Sequence, residues 1–152
     1  MTNDNCGICT WIDEVKTSPD YLIKELSTGY AVLSKYQYEY YRGYTVFLCK
    51  QHVGELHELD NTFKLNFLKE MSQVAEAVFK AFKPDKLNYE MLGNAEPHLH
   101  WHIFPRYMSD PNFTRPIWIV DKSIRQADST IISLKEIKQL KNKISAFLDK
   151  GN

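Results

Sequence analysis

The sequence predicts an α+β fold, a mainly antiparallel sheet of about five strands with one long central helix and a C-terminal helix. Three observations carry this expectation. Short β-forming runs follow one another with turn residues between them, apolar residues recur at helical spacing from Asn61 to Phe82, and a capping-box pattern opens a second helical stretch at Ser133. Consecutive strands with two substantial helices fit an antiparallel sheet better than alternating βαβ units.

Taken in order, "YLIKEL" (Tyr21 to Leu26), a Ser27 to Gly29 turn and "YAVLS" (Tyr30 to Ser34) read as a hairpin, and "YTVFLC" (Tyr44 to Cys49) as a third strand. The "YQYEYYRG" segment between the second and third strands is too polar for core and reads as an exposed loop. Phe63, Phe67, Met71, Val74, Val78 and Phe82 form the apolar stripe of the long helix, which Lys83-Pro84 ends. "LNYEML" (Leu87 to Leu92) and "HLHWHIF" (His98 to Phe104) read as two further strands joined by "GNAEP". Ser133 with Glu136 caps a helix over about 133–149, with Ile137, Leu140, Ile144 and Phe147 on one face and Gly151 beyond its end.

At 152 residues, 43% hydrophobic and 25% charged, the chain reads as a single domain (1–152) with a real core. Nineteen basic residues balance nineteen acidic ones, which argues against the positive field of a nucleic-acid binder and for a small-molecule partner. No stretch resembles a signal peptide or a membrane span, and three cysteines (Cys6, Cys9, Cys49) do not make a disulfide framework, so a reducing, cytoplasmic setting is expected.

In "EPHLHWHIFPRY" (Glu96 to Tyr107) three histidines stand at alternate positions. On a strand His98, His100 and His102 would share one face, while Leu99, Trp101 and Ile103 share the other and form core with Phe104. His98 and His102 would lie roughly 13 Å apart at Cα, too far for one metal to take all three rings, so the face suits an extended ligand such as a polyphosphate. An end histidine remains available to a metal. The Cys6-x-x-Cys9 pair is open at this level between metal binding, a redox pair and free thiols.

The run His98-Leu99-His100-Trp101-His102-Ile103-Phe104 resembles the histidine-triad motif of the HIT superfamily of nucleotide hydrolases and transferases. "YRGYTVFLCKQHVGELHEL" resembles that family's segment before its long helix, and "CGIC" its N-terminal zinc knuckle in bacterial-type members. The resemblance spans roughly residues 6 to 107. It implies that His100 attacks the α-phosphorus of a dinucleoside polyphosphate or nucleoside phosphoramidate, forming a nucleotidyl-histidine that water hydrolyses, and that His102 binds the phosphate oxygens. It also implies structural Zn2+ on Cys6, Cys9, His52 and His98.

Two positions depart from the pattern. The loop before the triad is short, so Asn94 is the expected phosphate contact, with Glu96 either an acid for the leaving group or a solvated turn residue. Where family members often hold the ribose with an acidic residue after the second strand, the corresponding region reads Tyr36-Gln37-Tyr38-Glu39 in a loose alignment, with Gln37 the expected nucleoside contact, while the tyrosines either stack on a base or cover the sheet edge. Arg106 reaches either an anionic substrate or solvent, and His57 reads as a turn residue. A transferase or phosphorylase, or a slow-turnover nucleotide-binding regulator, is the alternative function. Many small members of the family are homodimers, and Leu68, Ala75 and Phe79 widen the helix stripe in a way that fits one.

Overall fold

The computed structural model describes residues 5–149, so Gly151, the expected helix stop, lies outside the described residues. Five antiparallel strands form one sheet: β1 (Leu22–Glu25), β2 (Gly29–Leu33), β3 (Thr45–Cys49), β4 (Lys86–Glu90) and β5 (His100–Arg106), in the order β1-β2-β3-β5-β4. Among the described residues four α-helices accompany it: α1 (Gly7–Thr17), α2 (Asn61–Phe82), the short α3 (Lys122–Arg125) and α4 (Leu134–Leu148). The expected α+β class and its antiparallel five-stranded sheet are therefore observed.

Helix α2 has the expected bounds for local reasons. Asp60 accepts a hydrogen bond from the Phe63 N–H at its start, and at its end Lys83 adopts φ 48° immediately before Pro84. The capping box expected for α4 is also present, with Ser133 and Glu136 each holding the other's backbone N–H. Both helices pack on one face of the sheet, where Ala31, Leu33, Phe47, Leu99 and Ile103 meet Phe67, Val74, Val78, Ile137 and Ile144. This contact buries Ala75 as well, so α4 accounts for part of the broad stripe on α2, while Phe79 stays 47% exposed.

The other face is divided. At one end α1 lays Ile8, Ile12 and Val15 over Tyr30, Val32, Val46 and Leu48. At the other, Tyr41, Phe104 and Ile117 form a separate cluster. Because both faces are covered, β2 and β3 are buried along their whole lengths, which is why they read as nearly continuous apolar runs.

Four expectations need correction. Helix α1 was not expected, although Ile8, Ile12 and Val15 carry helical spacing. Residues 36–43 are not an exposed loop, since Tyr41 and Gln37 are buried within it. His98 precedes β5 rather than lying in it, because β5 begins at His100. Phe104 is buried, but on the histidine face, where its ring stacks 4.0 Å from that of Tyr44.

Candidate active site and metal centre

The pairing of β5 with β3 sets Leu48 opposite His100 and Val46 opposite His102, so both rings emerge on the divided face between its two apolar clusters. A cavity of about 700 Å³ opens there, with His100, His102, Asn94, Tyr44 and Trp118 on its wall.

His100 is buried against its own chain. Its Nδ1 lies 2.6 Å from the His98 carbonyl oxygen, an acceptor, so Nδ1 carries a proton and the tautomer with the lone pair on Nε2 is the one the backbone selects for the neutral ring. His102 is held differently. Its Nδ1 is 2.7 Å from the Tyr44 hydroxyl, and burial, followed by the charges of His100 and Arg125, lowers its pKa to about 3. Burial raises the pKa of Tyr44 well above the usual phenol value, so the pair is a neutral phenol beside a neutral imidazole. The two histidine rings stand 4.8 Å apart at an interplanar angle of 82°.

His98 turns away from the cavity toward α1. Its Nδ1 is 3.4 Å from Cys6 Sγ and 3.5 Å from Cys9 Sγ, while Cys9 Sγ is 3.3 Å from His52 Nδ1. Ligand atoms of all four side chains lie within 4.8 Å of one another, a group able to hold a metal ion. The spacing fits a tetrahedral ion, because bonds of about 2.0–2.3 Å place neighbouring donors roughly 3.3–3.8 Å apart. On the far side of the ring, Nε2 donates to the Cys49 carbonyl at 2.9 Å, which orients Nδ1 to the cluster. Burial lowers the pKa of His98 and favours its neutral, ligating form.

Other expected residues take different places. Asn94 reaches the cavity wall. Gln37 does not: it is 1% exposed, its amide donates to the Ser34 and Tyr44 carbonyls, and its oxygen accepts from the Gly43 N–H. Those bonds make it a brace of the β2–β3 loop instead of a nucleoside contact. Glu96 is also committed, accepting the Gly7 N–H at 3.0 Å at the start of α1. Arg106 reaches neither substrate nor solvent. It is 1% exposed, paired with Asp110 at 2.8 Å, and donates to the Asn112 and Arg115 carbonyls.

Sequence reasoning missed Tyr44, Trp118, Lys122 and Arg125, all on the cavity wall. Alternation along β3 could have grouped Tyr44 with Val46 and Leu48, but the diagonal reach of its hydroxyl to His102, whose direct partner is Val46, depends on cross-strand register. The segment from Ile117 to Arg125 carries no periodic signal.

The HIT domain family matches residues 31–109, and the chain belongs to that family. No curated relative matches it. Among solved structures it is similar to a histidine triad protein from Bradyrhizobium japonicum, at 23% identity over 88% of this chain and 94% of that one, with a TM-score of 0.71. It is also similar to a Zn-bound histidine triad family protein from Mycobacterium smegmatis, at 18% identity over 97% and 95% of the two chains, with a TM-score of 0.63. A diadenosine triphosphate hydrolase from Plasmodium falciparum, solved with Cyclomarin A, shares 13% identity over 87% and 78%, with a TM-score of 0.55. At these identities the shared property is the fold.

Proposed function

We propose that the protein is a nucleotide hydrolase that cleaves a dinucleoside polyphosphate or nucleoside phosphoramidate at the α-phosphate. The observation that carries this reading is His100, whose Nδ1 is tied to the His98 carbonyl while its ring lines the cavity. An imidazole held in that tautomer is a neutral nucleophile, and its phosphoramidate is labile enough to turn over.

In the first step Nε2 of His100 forms a bond to the α-phosphorus and the bond from phosphorus to the leaving group breaks, a polyphosphate departing as its anion and an amine departing with a proton taken from solvent. The ring becomes cationic, and the carbonyl of His98 stabilises it through the Nδ1–H. With the Tyr44 phenol donating to Nδ1 of His102, that ring keeps its proton on Nε2 and donates it to the phosphate oxygens as charge develops. Asn94 supplies a further amide donor at the rim. Water then attacks the phosphorus, the P–N bond breaks, and nucleoside monophosphate leaves as His100 returns to its neutral form, the proton from water passing to solvent. Rapid quenching with diadenosine tetraphosphate should trap a nucleotidyl group on His100, found by mass spectrometry. Turnover with no adduct on any histidine would reject the covalent route.

The Cys6, Cys9, His52 and His98 group is read as a structural zinc knuckle of the bacterial type, with two thiolates and two imidazoles as donors. When bound, the ion supplies a cross-link between the start of α1 and the start of β5. Three cysteines without a disulfide suit a reducing, cytoplasmic setting, and no helix among the described residues is long and apolar enough to cross a membrane.

A homodimer through α2 and β4 belongs to the same reading. Phe79 on the helix and Tyr89 on this edge strand, each 47% exposed, flank one shallow groove. Light scattering should report about twice the 17.8 kDa chain mass, and Phe79→Glu should shift it toward the monomer. A wild-type chain that stays monomeric at micromolar concentration removes the dimer without touching His100.

A further inference from the structure

Beyond the residues matched by the family, the chain from Asp110 to Ile131 forms a strap across one side of the cavity. Both of its ends are pinned. Arg106 bonds Asp110 and the carbonyls of Asn112 and Arg115 at the near end, and Ile117 is fully buried beside Tyr41 and Phe104. At the far end the Gln37 N–H donates to the Thr130 carbonyl at 2.8 Å, and Tyr36 bridges to Ile131. The middle of the strap brings Trp118 to 5.5 Å from the His102 ring, and the indole N–H donates to Glu90.

Arg125 lies with its guanidinium 4.7 Å from the Trp118 ring centre, and its Nε donates to the Val120 carbonyl at 2.8 Å. Its terminal nitrogens make no hydrogen bond to the described residues, which leaves a positioned, planar donor set on the cavity wall. Lys122 stands one helical turn before it, and Lys35 comes from the segment to which the strap bridges. The lining carboxylates, Glu14 and Glu96, belong to α1 and the loop before the triad, and Glu96 already accepts from Gly7. The cavity is thus polarised, with cations along the strap and carboxylates toward α1.

We propose that Arg125, Lys122 and Lys35 form a subsite for the phosphate chain of an anionic leaving group, making dinucleoside polyphosphates the preferred substrates over phosphoramidates of neutral amines. The inference rests on the reading of His100 and His102 as the groups that face the scissile phosphate. A leaving group that carries its own phosphates gains charge-assisted hydrogen bonds from this wall, strengthening as negative charge accumulates on it. A neutral amine gains nothing there.

The test compares kcat/KM for diadenosine tetraphosphate and for adenosine 5′-phosphoramidate in wild type, R125Q and K122Q. R125Q should lose roughly tenfold or more on the tetraphosphate and less than about twofold on the phosphoramidate, with R125K recovering part of the loss. K122Q should shift the same ratio more weakly, and since Lys122 is exposed it keeps the test open if R125Q fails to fold. Equal losses on both substrates, or no loss on either, would overturn the subsite. Should neither substrate turn over, the hydrolase reading fails, and binding still decides this one. Adenosine 5′-tetraphosphate should bind wild type more tightly than AMP by calorimetry, with that ratio collapsing in R125Q. An unchanged ratio overturns the proposal.

Discussion

His98 and His100 are two residues apart and share one peptide segment, yet they do opposite things. Both ring nitrogens of His98 are committed, Nδ1 to the thiols of Cys6 and Cys9 and Nε2 to the Cys49 carbonyl. His100 commits Nδ1 to a carbonyl and turns its ring to the cavity, and His102 likewise commits Nδ1, to Tyr44. What separates an anchoring imidazole from a reactive one here is how many of its nitrogens the surroundings have already taken. The same peptide also joins the two roles, because the carbonyl that fixes the His100 tautomer belongs to His98. The candidate metal centre and the proposed nucleophile are therefore neighbours through a single backbone unit.

The contrast breaks most sharply at His100. His100→Ala should lower kcat by roughly a thousandfold or more while nucleotide binding and thermal stability change little, because the lost interaction belongs mainly to the transition state. Single-turnover kinetics beside calorimetric binding would check both halves. A variant that keeps most of the wild-type rate gives the chemistry to another group.

At the anchoring end the expected loss is in folding. Cys6→Ser should release the metal and lower the melting temperature by about 10 °C or more, since a structural zinc contributes folding free energy directly and a domain of this size loses roughly 2–4 °C per kcal/mol. Elemental analysis and calorimetry on protein purified without chelators would show it. Zinc-free wild type with an unchanged melting temperature would leave His98 held by hydrogen bonds to Cys6, Cys9 and Cys49 without a metal.

The legibility of the two ends in the sequence differs for the same physical reason. Helix α2 and the β2 and β3 strands could be read because their periodicity is local, and Asp60, Lys83 and Pro84 mark the helix ends with short-range signals. The alternating histidines were legible as a group, but the departure of His98 from the strand is set by Cys6, Cys9, His52 and Cys49, which are distant in sequence. Gln37 and Tyr41 look polar in sequence and are nevertheless buried, because three backbone groups satisfy the Gln37 amide and the Phe104 ring covers Tyr41. The strap that brings Trp118 and Arg125 to the cavity has no periodicity, being held by the Arg106 side chain and the cluster around Ile117.

A smaller effect separates His102 from His100. Tyr44→Phe removes the hydroxyl at 2.7 Å from His102 Nδ1 and should lower kcat by about tenfold, the loss of one oriented hydrogen bond, with the melting temperature nearly unchanged. A fall in kcat with unaltered KM supports a role for the phenol in setting the ring's tautomer. Equal rates in the two proteins would mean that His102 is oriented by its neighbours Phe104 and Trp118 alone.

The mildest test uses acid. His102 has a pKa of about 3 in the folded chain against an ordinary value of 6.5, so as pH falls below 6.5 the unfolded chain takes up a proton that the folded chain refuses. Its neutral burial is therefore fully tolerated above pH 6.5, and stability declines as pH falls from there toward 3. The cause is mainly burial against Tyr44, Phe104 and Trp118, with the charges of His100 and Arg125 adding to it. His102→Gln cannot take up the proton and should flatten this part of the profile relative to wild type. Urea unfolding at a series of pH values between 7 and 4 reads the difference as a change in slope. Parallel profiles for the two proteins would show that His102 gains its proton as readily when folded as when unfolded, removing the neutral-donor role assigned to it beside His100.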